Sequence, residues 1–324
     1  MNTQTLLVTG ATGLVGSNLC VLAIRAGYRV RGMVRSPNDA ERLSAHAVEP
    51  VIADIRDLDS VLRAAEGVDG ILHTAAVLGG TWSKATVSDY WEANYTGTVN
   101  VMEAARRAGN CRVVDLDTLA LLDWSQTITE RSPIVSIQPG DSGYVSSKRA
   151  SYYEGMHRAS RGQDIVFVTP GAIYGPSLFV ERALHATSFT GTLWSALHGH
   201  LESYVPIPLL WAFAEDVAAT ALAAWERGTT GSRYLACGRV EDLRSLAAFC
   251  NLGAEIAAIS HRVREVDLST GGSQIGSMAA FATRQYADPV MDSSLTETLL
   301  GVRPRALRDG LETTISWLRA NGRL

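Results

Sequence analysis

The sequence predicts an α/β fold: a doubly wound parallel sheet (a Rossmann-type layer) carrying a smaller, interleaved C-terminal cap. Three observations predict it. Short, near-continuous apolar runs alternate with helical patterns through the first half of the chain, as strands covered on both faces require. A glycine-rich turn joins the first apolar run to the first helical pattern. The alternation then breaks near Gly175 and resumes at about Ala214. Thr5–Thr9 reads as a buried strand, and the helix after it, ending at Ala26, carries Val15, Leu19 and Leu22 on one face. Arg29–Val34, Val51–Ala53, Gly70–Thr74, Arg112–Leu116 and Asp164–Val168 are further strands. Helices are expected around Ser60–Ala65, Asp89–Ala108 and Gly143–Ser160. Pro176 to Pro208 reads as irregular and rich in apolar and aromatic types. A helix over Ala214–Arg227, a strand over Arg233–Ala236 and an amphipathic helix over Ala306–Ala320 follow. Residues 1–175 and 209–238 are thereby assigned to the sheet domain, and 176–208 and 239–324 to the cap.

With 324 residues, 46% hydrophobic and 19% charged, the chain is long enough for about two domains and too apolar for a disordered polypeptide. A net charge of −4 argues against nucleic acid or an anionic membrane as the partner, leaving a small molecule. Cys20, Cys111, Cys237 and Cys250 show no metal-ligand or disulfide spacing, which points to a reducing, cytoplasmic setting. The N-terminus lacks the basic and apolar regions of a signal peptide, and the longest apolar run, Val205–Ala214, is too short to span a bilayer. Of 29 basic residues only Lys84 and Lys148 are lysine. Where arginine serves for nearly every cation, a retained lysine suggests a need for its compact, tunable ammonium.

Residues 9–16, TGATGLVG, place Gly10, Gly13 and Gly16 between strand and helix. Such a turn brings the backbone close to a pyrophosphate, and the N–H groups at the helix start, from Thr12 through Leu14 and Val15, face its charge. An NAD site commonly offers an acid at the end of the second strand, but this chain reads VRGMVRS there. No acidic residue precedes Asp39. Arg35 can clamp a ribose 2′-phosphate and Ser36 can add a hydroxyl, which favours NADP (NADPH).

Tyr144 and Lys148 stand four residues apart and share one helix face. With ten tyrosines and two lysines, chance seldom produces this pair. A neighbouring ammonium lowers the pKa of a phenol, so Lys148 is expected to make Tyr144 a better proton carrier.

These motifs, in their order, resemble the extended branch of the short-chain dehydrogenase/reductase superfamily, in the style of dihydroflavonol, aldehyde and ketone reductases. The resemblance covers nearly the whole chain: TGATGLVG, DIRD at 54–57, HTAA at 73–76, NYTGTVN at 94–100, YVSSK at 144–148, PGAIYGP at 170–176 and AEDVA at 214–218. YLACG at 234–238 and Leu300–Leu311 complete it. It implies that Tyr144 protonates a carbonyl oxygen, that Lys148 holds the nicotinamide ribose, and that Thr118 supplies the third catalytic hydroxyl. It further implies that Asp54 and Ile55 contact the adenine, that Thr74, Ala75 and Ala76 line the cofactor, and that Pro170, Gly171 and Ile173 lie near the nicotinamide. Asn94, Gly97 and Thr98 look like helix-packing positions. By analogy the chain is expected to form a homodimer.

One departure stands out. Where the family reads like VVYTSS, this chain reads VVDLDTLALL, with Asp115 and Asp117 beside Thr118. Acids ending a buried strand need partners. They either cap nearby backbone N–H groups or, for Asp117, bond a polar group of the substrate. Trp82, Tyr174, Trp194, Tyr204 and Trp211 are candidates for an apolar, aromatic-friendly substrate wall, although each alone is more commonly core. His198 and His200 have no further metal ligands nearby and read as a surface loop. The expected activity is NADPH-dependent reduction of a ketone or aldehyde. A sugar-nucleotide epimerase or dehydratase on the same scaffold, and a non-catalytic NADP-binding protein, remain as alternatives.

Overall fold

The computed structural model describes residues 4–79, 83–137, 141–266 and 290–324. Seven parallel strands build one sheet: β1 (Thr5–Thr9), β2 (Arg29–Val34), β3 (Glu49–Ile52), β4 (Gly70–His73), β5 (Arg112–Leu116), β6 (Ile165–Pro170) and β7 (Arg233–Ala236). Their order is β7-β6-β5-β4-β1-β2-β3. The order reverses between β1 and β4, and ligands of such sheets bind at the carboxyl ends of the strands beside that switch point.

Helices cover both faces. Val114, Leu116, Val166 and Val168 pack against α1 (Leu14–Arg25) and a later helix, Ala214–Arg227. Val113, Ile165 and Phe167 on the same strands point the other way. They meet α3 (Leu58–Ala64), Gly97–Arg107 (α5) and Gly143–Ser160 (α6). This alternation is why the strands read as unbroken apolar runs. A second core gathers Ala172–Tyr174, Phe189–Leu197 (α8), Trp211–Phe213, Leu246–Ala257 (α10) and Leu307–Ala320 (α12). The chain leaves the seven-stranded sheet after β6 and returns to it at β7.

Several elements differ from the sequence expectation. Pro37–Ser44 is an additional helix (α2), started by the Ser36 hydroxyl, which accepts from the Asp39 N–H, and by Pro37 in its first turn. The region expected to be irregular holds Val180–Ala183 (α7) and α8. Thr190, Gly191, Thr192 and Leu193 are all buried in α8, so it lacks the polar face that makes a helix readable. The helix expected over 89–108 begins at Val87 as α4 (Val87–Tyr90), behind a Thr86–Asp89 capping box. It widens into a π-helical stretch over Trp91–Thr96 before α5. The intervening α9 is Ala214–Arg227, and Ser294–Leu300 forms α11. Among the described residues no helix is long and apolar enough to cross a membrane.

Candidate functional site

The glycine turn is folded as a cradle. Gly10 has φ +68°, a conformation that disfavours a side chain, and a Cβ there would stand 2.9 Å from the Ala75 backbone. A Cβ on Gly16 would fall inside contact distance of the Gly10 carbonyl. Gly13 caps α1 with no side-chain hydrogen bond, and no acid lies in the first turn. The N–H groups at the start of α1 therefore remain available to an anion. The Thr74 hydroxyl donates to the Thr9 carbonyl at 2.7 Å, and the Ala75 N–H donates to the Thr9 hydroxyl at 3.3 Å, locking the turn after β4 beside this cradle. Gly16→Ala is expected to spread the turn, costing about 1–3 kcal/mol of stability. Dinucleotide affinity should fall with it, checked by thermal melting and NADPH titration.

At the end of β2, Arg35 is exposed, and its guanidinium has no hydrogen-bond partner among the described residues. Ser36, by contrast, is already engaged: its hydroxyl donates to Asp39 Oδ2 at 3.0 Å while capping α2. Asp39 is also reached by Arg182 of α7 at 3.2 Å, and Arg42 pairs with Glu181 at 2.6 Å, clasping α7 onto α2. Asp54 is gripped by the Arg56 side chain, which holds its carboxyl below the usual range, with Arg35 adding to the effect. Ile55 packs its side chain towards Gly97. Val15 is buried against the core and Ile173 is partly buried beside it. Ala76 is half-buried, Pro170 ends β6, and Gly171 lies tight against the Leu210 carbonyl. An exposed arginine, a glycine cradle and a bare helix start together fit a nicotinamide dinucleotide.

Tyr144 opens α6, whose start is capped by Ser142, and Lys148 follows one turn later. The Thr118 hydroxyl, which accepts from the Ala120 N–H at 3.3 Å, lies near enough to the Tyr144 phenol to lower its pKa, so the two residues expected to polarise a carbonyl are neighbours in space. Gly79 lies against the Tyr144 ring, where a Cβ would come within 2.9 Å of Tyr144 Cβ and Cγ. Asn94, in the π-helical stretch, holds that loop: its side chain accepts from the Val77 N–H at 2.8 Å and donates to the Val77 carbonyl at 3.0 Å.

Lys148 is 3% exposed and donates to the Leu116 carbonyl at 2.6 Å. Here the expectation for acidity is corrected. Burial raises the Tyr144 phenol to about 12, the nearby Thr118 hydroxyl opposes that rise, the Asp117 charge adds to it, and Lys148 is not among the groups that lower it. Desolvation outweighs attraction because the half-buried phenolate would give up much of its hydration. Tyr144 is consequently held as the neutral phenol, the form that donates a proton.

Asp115 and Asp117 are 1% and 4% exposed, and none of their four carboxylate oxygens has a hydrogen-bond partner among the described residues. Neither caps backbone N–H groups, which corrects that expectation. Burial raises the carboxyl pKa of both, Asp117 to about 7, against the opposing pull of Arg233, whose Nε lies 4.0 Å from Asp117 Oδ2. His73, on the neighbouring strand, contacts the hydroxyls of Thr9 and Thr98 at 2.7 and 3.0 Å, and burial lowers it to about 3. It is a neutral packing residue.

The expected aromatic wall is not assembled. Tyr174, Tyr204 and Trp211 are 1–2% exposed in the second core. Tyr174 donates to the Leu307 carbonyl at 3.3 Å, and Trp211 stacks on Phe249 with ring centroids 3.7 Å apart. Trp194 lines a shallow cavity with His198 and the C-terminal residues Gly322, Arg323 and Leu324. Packing claims these rings because a second region of this size needs its own core. Trp82 lies outside the described residues. Arg233 was missed from sequence, although a cation opening an otherwise apolar strand, RYLAC, signals a buried acid opposite it.

A glycine cradle at the end of β1, together with a Tyr–Lys pair one turn apart on α6, defines a dinucleotide-dependent α/β enzyme of the short-chain dehydrogenase/reductase type. A family model described as "NAD dependent epimerase/dehydratase family" matches residues 6–237, and the chain belongs to that family. It is 33% identical over 238 residues to "Sterol demethylase protein B" of Methylococcus capsulatus, across 72% of this chain and 70% of that protein. It is 27% identical over 256 residues to "Cinnamoyl-CoA reductase 2" of Medicago truncatula, across 72% of both. Its fold is similar to that of yeast methylglyoxal/isovaleraldehyde reductase Gre2 complexed with NADPH, with a TM-score of 0.79 at 20% identity over 99% of this chain and 100% of that one.

Proposed function

We propose that this protein reduces a ketone or aldehyde to an alcohol with NADPH. The observation that carries the proposal is the Thr118 hydroxyl brought beside the Tyr144 phenol, one helical turn from buried Lys148, with that phenol held protonated. Bound NADPH supplies hydride to the carbonyl carbon. Tyr144 gives its phenolic proton to the carbonyl oxygen, and Thr118 donates to the same oxygen as negative charge develops on it. Lys148 would hold the nicotinamide ribose. Gly10, Gly13 and Gly16 would take the pyrophosphate, and Arg35 the 2′-phosphate. The relatives named for sterol demethylation and cinnamoyl-CoA reduction support an apolar or aromatic carbon skeleton. A homodimer is part of the same reading.

The test is NADPH consumption across aromatic ketones, aldehydes, steroid ketones and sugar nucleotides, with the alcohol product identified by mass. Turnover of a sugar nucleotide with NAD, and none of any simple carbonyl, overturns the proposal. Arg35→Ala is expected to weaken NADPH binding by roughly 10–100-fold, the size of a lost charge-assisted contact, and to leave NADH binding unchanged. Titration of each cofactor by fluorescence reads this out.

A further inference from the structure

A polar seam crosses the sheet beneath α6, in a layer that is otherwise apolar. Asp115 of β5 lies in register with His73 of β4. Asp117, just beyond β5, adjoins the Thr169 hydroxyl of β6 and Arg233 of β7, while Lys148 acts on both acids from α6. All six residues are less than a tenth exposed. The four carboxylate oxygens, Thr169 Oγ1 and Arg233 Nε have no hydrogen-bond partner among the described residues. Orphaned atoms in such number are costly, and a buried pair of acids is retained against that cost only with compensation or a use. Arg233 is itself anchored, donating to the Ser132 carbonyl at 2.8 Å and lying 4.7 Å over the Tyr152 ring.

We propose that Asp115 and Asp117 are positioning residues whose shared charge holds the Lys148 ammonium and sets the pH range over which Tyr144 delivers its proton. The inference rests on the reductase reading for the use of that proton, but the seam itself does not. Facing the two acids are His73 from β4, Tyr144, Lys148 and Tyr152 from α6, Arg233 from β7 and Cys237 just after it. Glu130 also acts on Cys237 and is engaged by Thr296. Two basic and two acidic side chains thus oppose each other, with neutral His73, and because burial and their mutual repulsion raise the acids they titrate as a pair. When the pair is ionised, its charge disfavours a phenolate at Tyr144 and favours the ammonium at Lys148. The site is thereby kept poised for reduction.

Asp117→Asn removes one of these charges at nearly constant volume. The alkaline limb of the carbonyl-reduction rate should then move down by about one pH unit, because the phenolate is less opposed. A purely structural seam would lower yield or stability and leave that limb in place. A second readout needs neither substrate nor cofactor. A carboxyl raised by burial binds more protons folded than unfolded between its two pKa values, so wild-type stability falls as pH rises through that window. The melting temperature of Asp117→Asn minus that of the wild type should therefore increase between pH 5 and 8, a range chosen to bracket the neutral region to which Asp117 is raised. If Asp117→Asn does not fold, Asp115→Asn carries the melting comparison in the same direction, because burial raises that carboxyl too. An unchanged alkaline limb in a folded variant that turns over, or a melting difference flat with pH, overturns the proposal. Absence of carbonyl turnover by the wild type would instead defeat the reductase reading, and the melting comparison would still decide the seam.

Discussion

Tyr144→Phe is expected to lower carbonyl-reduction turnover by roughly 10²–10⁴-fold, the usual contribution of a positioned general acid. The change removes one hydroxyl and leaves the ring against Gly79 and edge-on to Tyr90, 6.1 Å between centroids. The start of α6, capped by Ser142, does not depend on the phenol. Folding and NADPH affinity should accordingly remain close to wild type. Steady-state rates, a thermal melt and an NADPH titration on one preparation separate the three quantities. Turnover near the wild-type value would remove Tyr144 from the chemistry and defeat the reductase assignment.

Lys148→Met should act on stability as well as rate. The side chain is buried, its ammonium donates to the Leu116 carbonyl, and it is the cation acting on both Asp115 and Asp117. Removing one partner from a buried charge group typically costs about 3–5 kcal/mol, because the remaining charge is left uncompensated. Protonation of the acids can offset part of this, so the loss should be smaller at pH 5 than at pH 8. Lys148→Arg keeps the charge but forces a planar fork into a space that holds one ammonium, a misfit of about 1–3 kcal/mol. Its turnover should fall by about 10²-fold, since the cofactor ribose would lose its positioning group. Denaturant titrations at both pH values and turnover of each variant check this. Arginine variants indistinguishable from wild type would show that the rare lysine reflects composition alone.

The helices at 143–160 and 214–227 and the strand at 233–236 run to the residues expected, because the Ser142 cap of the first, the apolar face of the second and the short apolar run of the strand mark them locally. The glycine turn was legible for the same reason: its strand, turn and helix are contiguous in the chain. Other features were not. Helix α8 is buried on too many sides to show a polar face, and Ser36 and Pro37 announce a helix cap in residues that also suit a phosphate site. The aromatic residues after Gly175 carry no local mark that separates a core wall from a substrate wall, and the second core took them.

What the sequence determined by itself was therefore the set of chemically capable groups and their local frames: the cradle of Gly10, Gly13 and Gly16, the exposed Arg35, and Tyr144 four residues before Lys148. Tertiary structure alone decided how those groups behave. The Lys148 amine is turned to the Leu116 carbonyl, and Tyr144 is made less acidic by the layer around it. Arg233 meets Asp117 from a strand 116 residues away in the chain. The reason is physical: spacing along one helix establishes which side chains share a face, whereas proton affinity depends on desolvation and on charges brought in by distant strands.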